Sequence, residues 1–163
     1  MKTFFPVCFL LLGLIFSTTA SAQLAAGGGL AFGTGTDDLG LQIRGTYEIT
    51  EAIVGEADII IYFDGVPDAS ITEINLNGQY RLGEVMNTGD FDLYGLAGLN
   101  FYRFNFSSSV LPGFGGSFTE VGFNLGAGAN FDISDLIGAY AEVKYALSAA
   151  DQLVIAGGVL YRF

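Results

Sequence analysis

Basic and acidic side chains stand close together at several places in this sequence. Arg44 precedes Glu48, for example, and Glu142 precedes Lys144. Such pairs can exchange protons as acid and base, bind ions, or neutralise one another inside a fold. Chemistry that depends on histidine is excluded, because the chain contains no histidine and can build neither a histidine-based triad nor a histidine metal site.

Sequence motifs for cofactor binding and catalysis are missing. The chain has no G-x-G-x-x-G, P-loop or zinc-ligand spacing, and its acidic loop residues follow no EF-hand pattern. Paired carboxylates remain, but no insertion offers the length to build a cleft around them. We therefore expect no enzymatic activity, no cofactor and no bound metal.

The amino-terminal segment has the three parts of a secretory signal. Lys2 supplies a positive charge, residues 7–16 form a short apolar run, and Ala20-Ser21-Ala22 is a small-residue cleavage motif. The run is shorter than the ~20 residues that a spanning helix needs. We predict that residues 1–22 are a signal peptide cleaved after Ala22 and that residues 23–163 form a single domain. The only cysteine, Cys8, is removed with the signal.

The mature chain is both acidic and apolar. Loss of Lys2 leaves five of the six basic residues and takes the formal net charge from −11 to −12. This charge repels nucleic acid, so no nucleic-acid partner is expected, and it offers no basic patch for anionic head groups. Hydrophobic residues make up 51% of the chain, yet no apolar run after the signal approaches the length of a spanning helix. A closed membrane β-barrel or a very apolar soluble domain remains.

Alternation of apolar and polar residues favours the barrel. The segment INLNGQYRL, residues 74–82, places Ile, Leu and Tyr on one face and Asn, Gln and Arg on the other. Alternation sustained over about ten residues is typical of transmembrane strands. Turn signals delimit eight predicted strands: 24–34, 39–49, 54–63, 71–82, 91–104, 118–131, 138–147 and 153–163. The predicted fold is all-β, an eight-stranded antiparallel up-and-down transmembrane β-barrel.

An even number of strands places both ends of the barrel domain on one side of the membrane, the periplasmic side. The connection predicted to be longest, Asn105 to Ser117 with its Pro112-Gly113 turn, then lies on the external side. No insertion large enough for a second domain or a plug interrupts the pattern.

Aromatic residues cluster near the predicted strand ends, as interfacial girdles do. The predicted external girdle contains Phe32, Tyr62, Phe63, Phe101, Tyr102, Phe104, Phe118 and Tyr145. The predicted periplasmic girdle contains Tyr47, Tyr80, Phe91, Tyr94, Phe131, Tyr140, Tyr161 and Phe163. Packing into the core of a soluble sandwich would instead spread the rings along strand centres.

The last predicted strand ends in an aromatic residue, with Val159, Tyr161 and Phe163 on one face. This ending resembles the signal read by the machinery that inserts outer-membrane barrels. Together with the alternation and the girdles, the mature chain resembles the small outer-membrane β-barrel family that includes OmpX and the transmembrane domain of OmpA. The resemblance implies export through the periplasm to the outer membrane of a Gram-negative bacterium. The chain departs from OmpA in lacking a peptidoglycan-binding tail, and from OmpX in lacking long projecting external strands.

The polar face of such a barrel is its lumen. We expect an internal network of ion pairs and hydrogen bonds there, because unpaired buried charges are costly. Its predicted members are Arg44, Glu48, Glu73, Arg81, Glu120, Glu142 and Lys144, with Asp58, Asp92 and Arg162 on the same faces. Glycines at 122, 126, 128 and 158 also face the predicted lumen and leave room for a thin water path.

Function is expected to be non-enzymatic, with a structural or surface-interaction role. The expected partners are outer-membrane lipid, lipopolysaccharide and, during biogenesis, the barrel-assembly machinery, and we expect a monomer. Two alternatives stay open from the sequence: a narrow channel for small solutes, and a soluble lipocalin-like carrier of an apolar ligand. The carrier would have the opposite polarity, with an apolar interior and a polar exterior.

Overall fold

The computed structural model describes residues 24–63, 69–83, 91–107, 115–148 and 151–163. The predicted signal peptide, residues 1–22, lies outside them. Eight strands follow one another: β1 (Leu24–Gly33), β2 (Asp38–Glu48), β3 (Ile53–Tyr62), β4 (Ala69–Arg81), β5 (Phe91–Ser107), β6 (Gly115–Asp132), β7 (Ile137–Leu147) and β8 (Gln152–Arg162). Each strand pairs antiparallel with the next, and β8 pairs with β1 to close the barrel, which confirms the predicted fold. No helix in these ranges has the length and apolarity needed to cross a bilayer.

The two faces of the wall have opposite polarity. On β2, Gln42 and Arg44 point inward and are 0% and 1% exposed, whereas Leu41 and Ile43 point outward and are 44% and 57% exposed. The same alternation continues through β3, β4 and β7. A polar interior inside an apolar exterior is the arrangement of a membrane barrel, and it is the reverse of what the lipocalin-like alternative requires.

Strands β5 and β6 are longer than the sequence predicts. They contain 17 and 18 residues, against 10 to 13 in the other six strands. Their pairing extends up to Ser107 opposite Gly115, so both ends of the segment predicted as a loop, residues 105–107 and 115–117, belong to a projecting hairpin. The expectation that no external strands project was therefore wrong. Residues 108–114, with the Pro112-Gly113 turn, lie outside the described residues.

The hairpin escaped prediction because its polarity inverts above the membrane band. Phe104 and Phe106 lie on the inward face of β5, whereas Arg103 and Asn105 lie on its outward face. Apolar residues therefore face the barrel axis here, and polar residues face the surroundings. A lipid-facing strand has apolar residues outward and polar residues inward. A segment with the opposite alternation does not match that pattern, so the sequence predicts a loop there.

Four tyrosines assigned to the girdles face the lumen instead, and Phe104 and Phe118 of the predicted external girdle face the barrel axis. Tyr62, Tyr94, Tyr102 and Tyr140 are between 1% and 8% exposed. Their height along the strand predicts a girdle position, but the side of the wall on which a residue lies depends on whether its position in the strand is odd or even. Outward aromatic residues do remain near the strand ends, including Phe63, Tyr80, Phe91, Phe131, Tyr145 and Tyr161.

Candidate functional site

The centre of the lumen is occupied by an ion-pair cluster that crosses the barrel, here called the central cluster. Arg44 on β2 contacts Glu142 on β7 at 2.8 Å and Glu56 on β3 at 3.4 Å. Lys144 on β7 contacts Asp58 on β3 at 3.0 Å and Glu142 at 3.6 Å. All five side chains are at most 1% exposed. The cluster thus ties β2 and β3 to β7 on the opposite wall.

Two tyrosines complete the surroundings of Arg44. Tyr94 donates a hydrogen bond to Glu142 Oε2 at 2.9 Å and accepts one from Arg44 Nη1 at 3.5 Å. The guanidinium carbon lies 4.1 Å from the centroid of the Tyr140 ring, within cation–π range. Tyr140 Oη in turn donates to Gln42 Oε1 at 2.7 Å. Arg44 is therefore held by two charges, one hydroxyl and one ring face.

The lumen-facing glycines are covered by these rings and by neighbouring backbone. A Cβ atom at Gly29 or Gly158 would lie 2.6 Å or 2.8 Å from Tyr140 Oη, and one at Gly128 would collide with the Tyr94 ring. Glycine at these positions therefore makes room for tyrosine. Of the four glycines that suggested a thin water path, Gly128 and Gly158 are therefore covered by tyrosine, and a Cβ at Gly122 or Gly126 would meet the backbone of β7.

Beside the central cluster lies a layer of side-chain amides. Asn124 Nδ2 donates to Asn75 Oδ1 and Asn77 Oδ1, both at 2.9 Å, and Asn100 Nδ2 donates to Asn75 Oδ1 at 2.8 Å. Asn75 Nδ2 in turn donates a hydrogen bond to Asp58 Oδ1 at 3.0 Å. This layer connects β4, β5 and β6 to the charged residues, whereas the ion pairs of the central cluster join β2, β3 and β7.

Glu73 stands apart from the central cluster. Its carboxylate accepts hydrogen bonds from Tyr62 at 3.3 Å, from Asn100 at 3.3 Å and from Gln152. Within the described ranges it forms no ion pair with Lys or Arg. The structure thus places Glu73 in the lumen, as the alternation predicts, but among neutral donors.

The external end of the lumen is closed by an apolar layer. This layer comprises Ala31, Ile60, Tyr62, Ile71, Tyr102, Val154 and Ala156, all at most 9% exposed, and Phe104 packs against it. Above it, the rings of Phe104 and Phe118 pack at a tilt of 45°, with 5.8 Å between their centroids, on the inner face of the hairpin.

The periplasmic end is open and charged. Arg81 pairs with Glu48 and, at 3.0 Å, with Asp92, while Arg162 pairs with Asp132. These five residues border a recess of about 490 Å³ at the mouth, and a smaller cavity of about 50 Å³ lies among Arg81, Arg162 and the neighbouring strands. Arg81 and Glu48 remain partly exposed, at 32% and 19%, so this mouth is hydrated.

The predicted network residues therefore divide into separate groups. Arg44, Glu142 and Lys144 meet in the central cluster, Glu48 and Arg81 meet at the periplasmic mouth, and Glu73 lies among amides. Glu120 joins none of them, and its Oε2 atom has no hydrogen-bond partner among the described residues. In that part of the chain, no group of three potential metal ligands comes together.

Sequence reasoning missed the residues that link the groups. Glu56, which bonds to Arg44, Gln79 and, at 2.8 Å, Asn77, was not assigned to the lumen. The signal was available: Glu56 has the same parity on β3 as Asp58, which was assigned. The alternation places the amides on the polar face of each strand. Which amides bond to each other depends on the register between strands, which the alternation does not give.

The predicted assembly residues share the outer face of the barrel. Val159, Tyr161 and Phe163 are 52%, 46% and 74% exposed, and the rings of Tyr161 and Phe163 meet edge to face at 5.2 Å. Their role in insertion stays a prediction.

Comparison with known proteins agrees with this architecture. The family model described as outer membrane protein beta-barrel domain matches residues 8–163. A search of curated protein sequences gives no significant match. Among solved structures, the amino-terminal barrel of Pseudomonas aeruginosa OprF superposes with a TM-score of 0.69 at 17% identity, covering 87% of this chain and 97% of OprF's barrel.

Two further barrels share the fold. Neisserial surface protein A superposes with a TM-score of 0.67 at 15% identity, covering 88% of this chain and 98% of the other. Ail, the attachment invasion locus protein of Yersinia pestis, superposes with a TM-score of 0.59 at 17% identity, covering 87% and 97%. The chain belongs to the outer membrane protein beta-barrel domain family and is an outer-membrane protein of a Gram-negative bacterium.

Proposed function

We propose that this barrel is non-enzymatic and non-conducting, and that it acts through binding at the cell surface. The observation that carries the proposal is the projecting hairpin of β5 and β6. The hairpin extends the wall on one side only, where a plain membrane anchor needs no extension. Ail, which shares this fold, is named for attachment, so a barrel of this kind is compatible with a surface role.

The hairpin offers an unpaired strand edge. β6 begins at Gly115, but its pairing with β7 starts only at Phe123 opposite Leu147. Residues 115–122 of β6 therefore have no strand partner on that side among the described residues. Exposed edges of this kind bind extended segments through backbone hydrogen bonds.

The side chains beside this edge favour an extended partner with one apolar and one basic residue. Phe118 and Phe106 on the inner face are 47% and 41% exposed, which gives an apolar contact. Glu120 lies two residues along the same face and is partly exposed, although its Oε2 atom is buried and has no hydrogen-bond partner among the described residues. A segment carrying Lys or Arg two positions from an apolar residue complements both.

The closed interior supports the non-conducting part of the proposal. Eight strands enclose a space that side chains can just fill, and here the central cluster, the amides and the apolar layer occupy it. The sequence has no histidine and the described residues form no catalytic cleft, which supports the non-enzymatic part.

Cysteine labelling tests the surface role, because the mature chain has no cysteine of its own. We expect Ser117→Cys, on the outer side of the hairpin, to react with a membrane-impermeant maleimide on intact cells. Ser134→Cys, in the turn between β6 and β7, is the matched control and should react only after the outer membrane is permeabilised. A photo-crosslinker at residue 117 should then give a defined adduct on cells that a crosslinker at residue 134 does not give. Protection of residue 117 from the maleimide would contradict the proposal.

A narrow channel is the second candidate, and the periplasmic recess is the observation that favours it. The recess of about 490 Å³ brings water and charge up to Arg81 and Arg162. A conducting path would also have to pass the central cluster and the apolar layer, so opening would require several side chains to move together.

A further inference from the structure

One basic residue of the barrel lacks an acidic partner. Arg44, Arg81, Lys144 and Arg162 each form an ion pair with at least one carboxylate. Arg103, the remaining basic residue of the mature chain, forms none among the described residues. It is also the one basic residue that faces outward from the wall, on the external part of β5.

The position of Arg103 relative to the membrane follows from strand register. Ile74 on β4, Phe101 on β5 and Val121 on β6 are paired in one row and face outward. The next outward row toward the external side is Thr72, Arg103 and Thr119. All three strands therefore change from apolar to polar at the same row, which marks the external boundary of the lipid-facing band.

The next outward row toward the external side, which includes Ser70 and Asn105, holds the guanidinium of Arg103 in place. Arg103 Nε donates to Asn105 Oδ1 at 3.2 Å, and Asn105 Nδ2 donates to Ser70 Oγ at 3.5 Å. With Nε engaged, the two Nη groups have no acceptor among the described residues and are available to a ligand. Thr72 and Thr119 flank them with hydroxyl donors.

We propose that Arg103, Thr72 and Thr119 form a site for a phosphate of the lipopolysaccharide anchor in the outer leaflet. Guanidinium groups bind phosphate through paired, charge-assisted hydrogen bonds, and hydroxyls supply further donors. The outer leaflet of the membrane in which this family resides presents phosphorylated glycolipid at the height of this row. The net negative charge of the chain does not oppose the contact, because much of that charge lies in the lumen or at the periplasmic mouth.

Lipid binding to the purified barrel in detergent tests the proposal. Native mass spectrometry would compare wild type with Arg103→Gln and Arg103→Lys, using diphosphorylated lipid A as the probe. We expect Arg103→Gln to bind about ten-fold more weakly, the loss that one charge-assisted hydrogen bond produces. Arg103→Lys should fall between the two, since it keeps the charge without the planar fork. Thr119→Val should bind more weakly than wild type by a smaller factor.

Two further arms identify the ligand chemistry. Dephosphorylated lipid A should bind wild type and Arg103→Gln equally, and millimolar inorganic phosphate should not displace lipid A from wild type. Displacement by inorganic phosphate would identify a site for the free ion and overturn the lipid assignment. Equal binding of diphosphorylated lipid A to wild type and Arg103→Gln would overturn the site itself, provided both variants keep the heat-modifiable mobility of a folded barrel. The Arg103 variants lie on β5 and leave the β6 edge unchanged, so their outcomes are independent of the hairpin's role.

Discussion

The external and periplasmic halves of the lumen are filled by different kinds of side chain. The external half is dry: Ile60 and Val154 are 0% and 1% exposed within an apolar layer. The periplasmic half is wet, with Arg81 and Arg162 paired to carboxylates around an open recess. Between them, Arg44 and Lys144 lie in a fully buried ionic layer.

This difference assigns separate tasks to the two halves. Ion pairs at the hydrated mouth gain little, because water and salt compete with them. In the buried layer each charge depends on its partner, because no solvent can replace it. Stability is therefore concentrated in the middle and external parts, which also carry the projecting hairpin, while the periplasmic mouth tolerates change.

The largest expected effect comes from removing one charge of the buried layer. Arg44→Met should destabilise the barrel by about 3–5 kcal/mol, because it leaves Glu142 and Glu56 buried without their cation. The matched change at the mouth, Arg81→Met, should cost about 0–1 kcal/mol. Urea unfolding in lipid vesicles measures both. Similar losses at the two positions would remove the distinction between buried and hydrated ion pairs.

A smaller effect is expected when one hydroxyl is removed from the buried layer. Tyr94→Phe deletes the group that donates to Glu142 Oε2 and accepts from Arg44, and should cost about 1–3 kcal/mol. Tyr80→Phe on the lipid face, where the ring is 54% exposed, is the control and should be nearly neutral. The same unfolding experiment reports both values, and a neutral Tyr94→Phe would mean that its hydroxyl contributes nothing to the central cluster.

The smallest expected effect comes from shortening two inward-facing valines, one in the dry external half and one in the wet periplasmic half. Val154 lies in the external apolar layer, and Val54 borders the periplasmic cavity of about 50 Å³. Val154→Ala should cost about 1–2 kcal/mol, from the loss of two buried carbon atoms and the space they leave. Val54→Ala should cost less, because water can enter the enlarged cavity. A larger loss at Val54 would reverse the assignment of the two halves.

Strand number, strand order and the polarity of the wall could be predicted from the sequence. Period-two alternation depends only on the geometry of an extended chain, so Leu41 and Ile43 could be assigned to one face and Arg44 to the other without a structure. The aromatic girdles and the terminal Phe163 then indicate which face meets lipid. The closed antiparallel barrel follows, since a bilayer leaves no other way to satisfy strand backbones.

Contacts across the lumen could not be predicted in the same way. The pairing of Arg44 with both Glu56 and Glu142 depends on register and closure, which set residues from distant strands opposite each other. The buried tyrosines were misassigned because height along a strand was weighed above parity. The predicted strands stop at Phe104 and resume at Phe118; the paired residues beyond them were missed because the polarity inverts there, with Phe106 facing the axis and Asn105 facing outward.

Conductance in planar bilayers tests the central claim most directly, namely that the interior is closed by the central cluster and the apolar layer and that function lies at the surface. The purified wild-type barrel should show no stable, porin-sized steps, and the same result should hold for Arg81→Glu at the already open mouth. Reproducible single-channel steps from wild type, with a conductance changed by charge reversal at Arg81 or Glu142, would contradict the account and establish a channel.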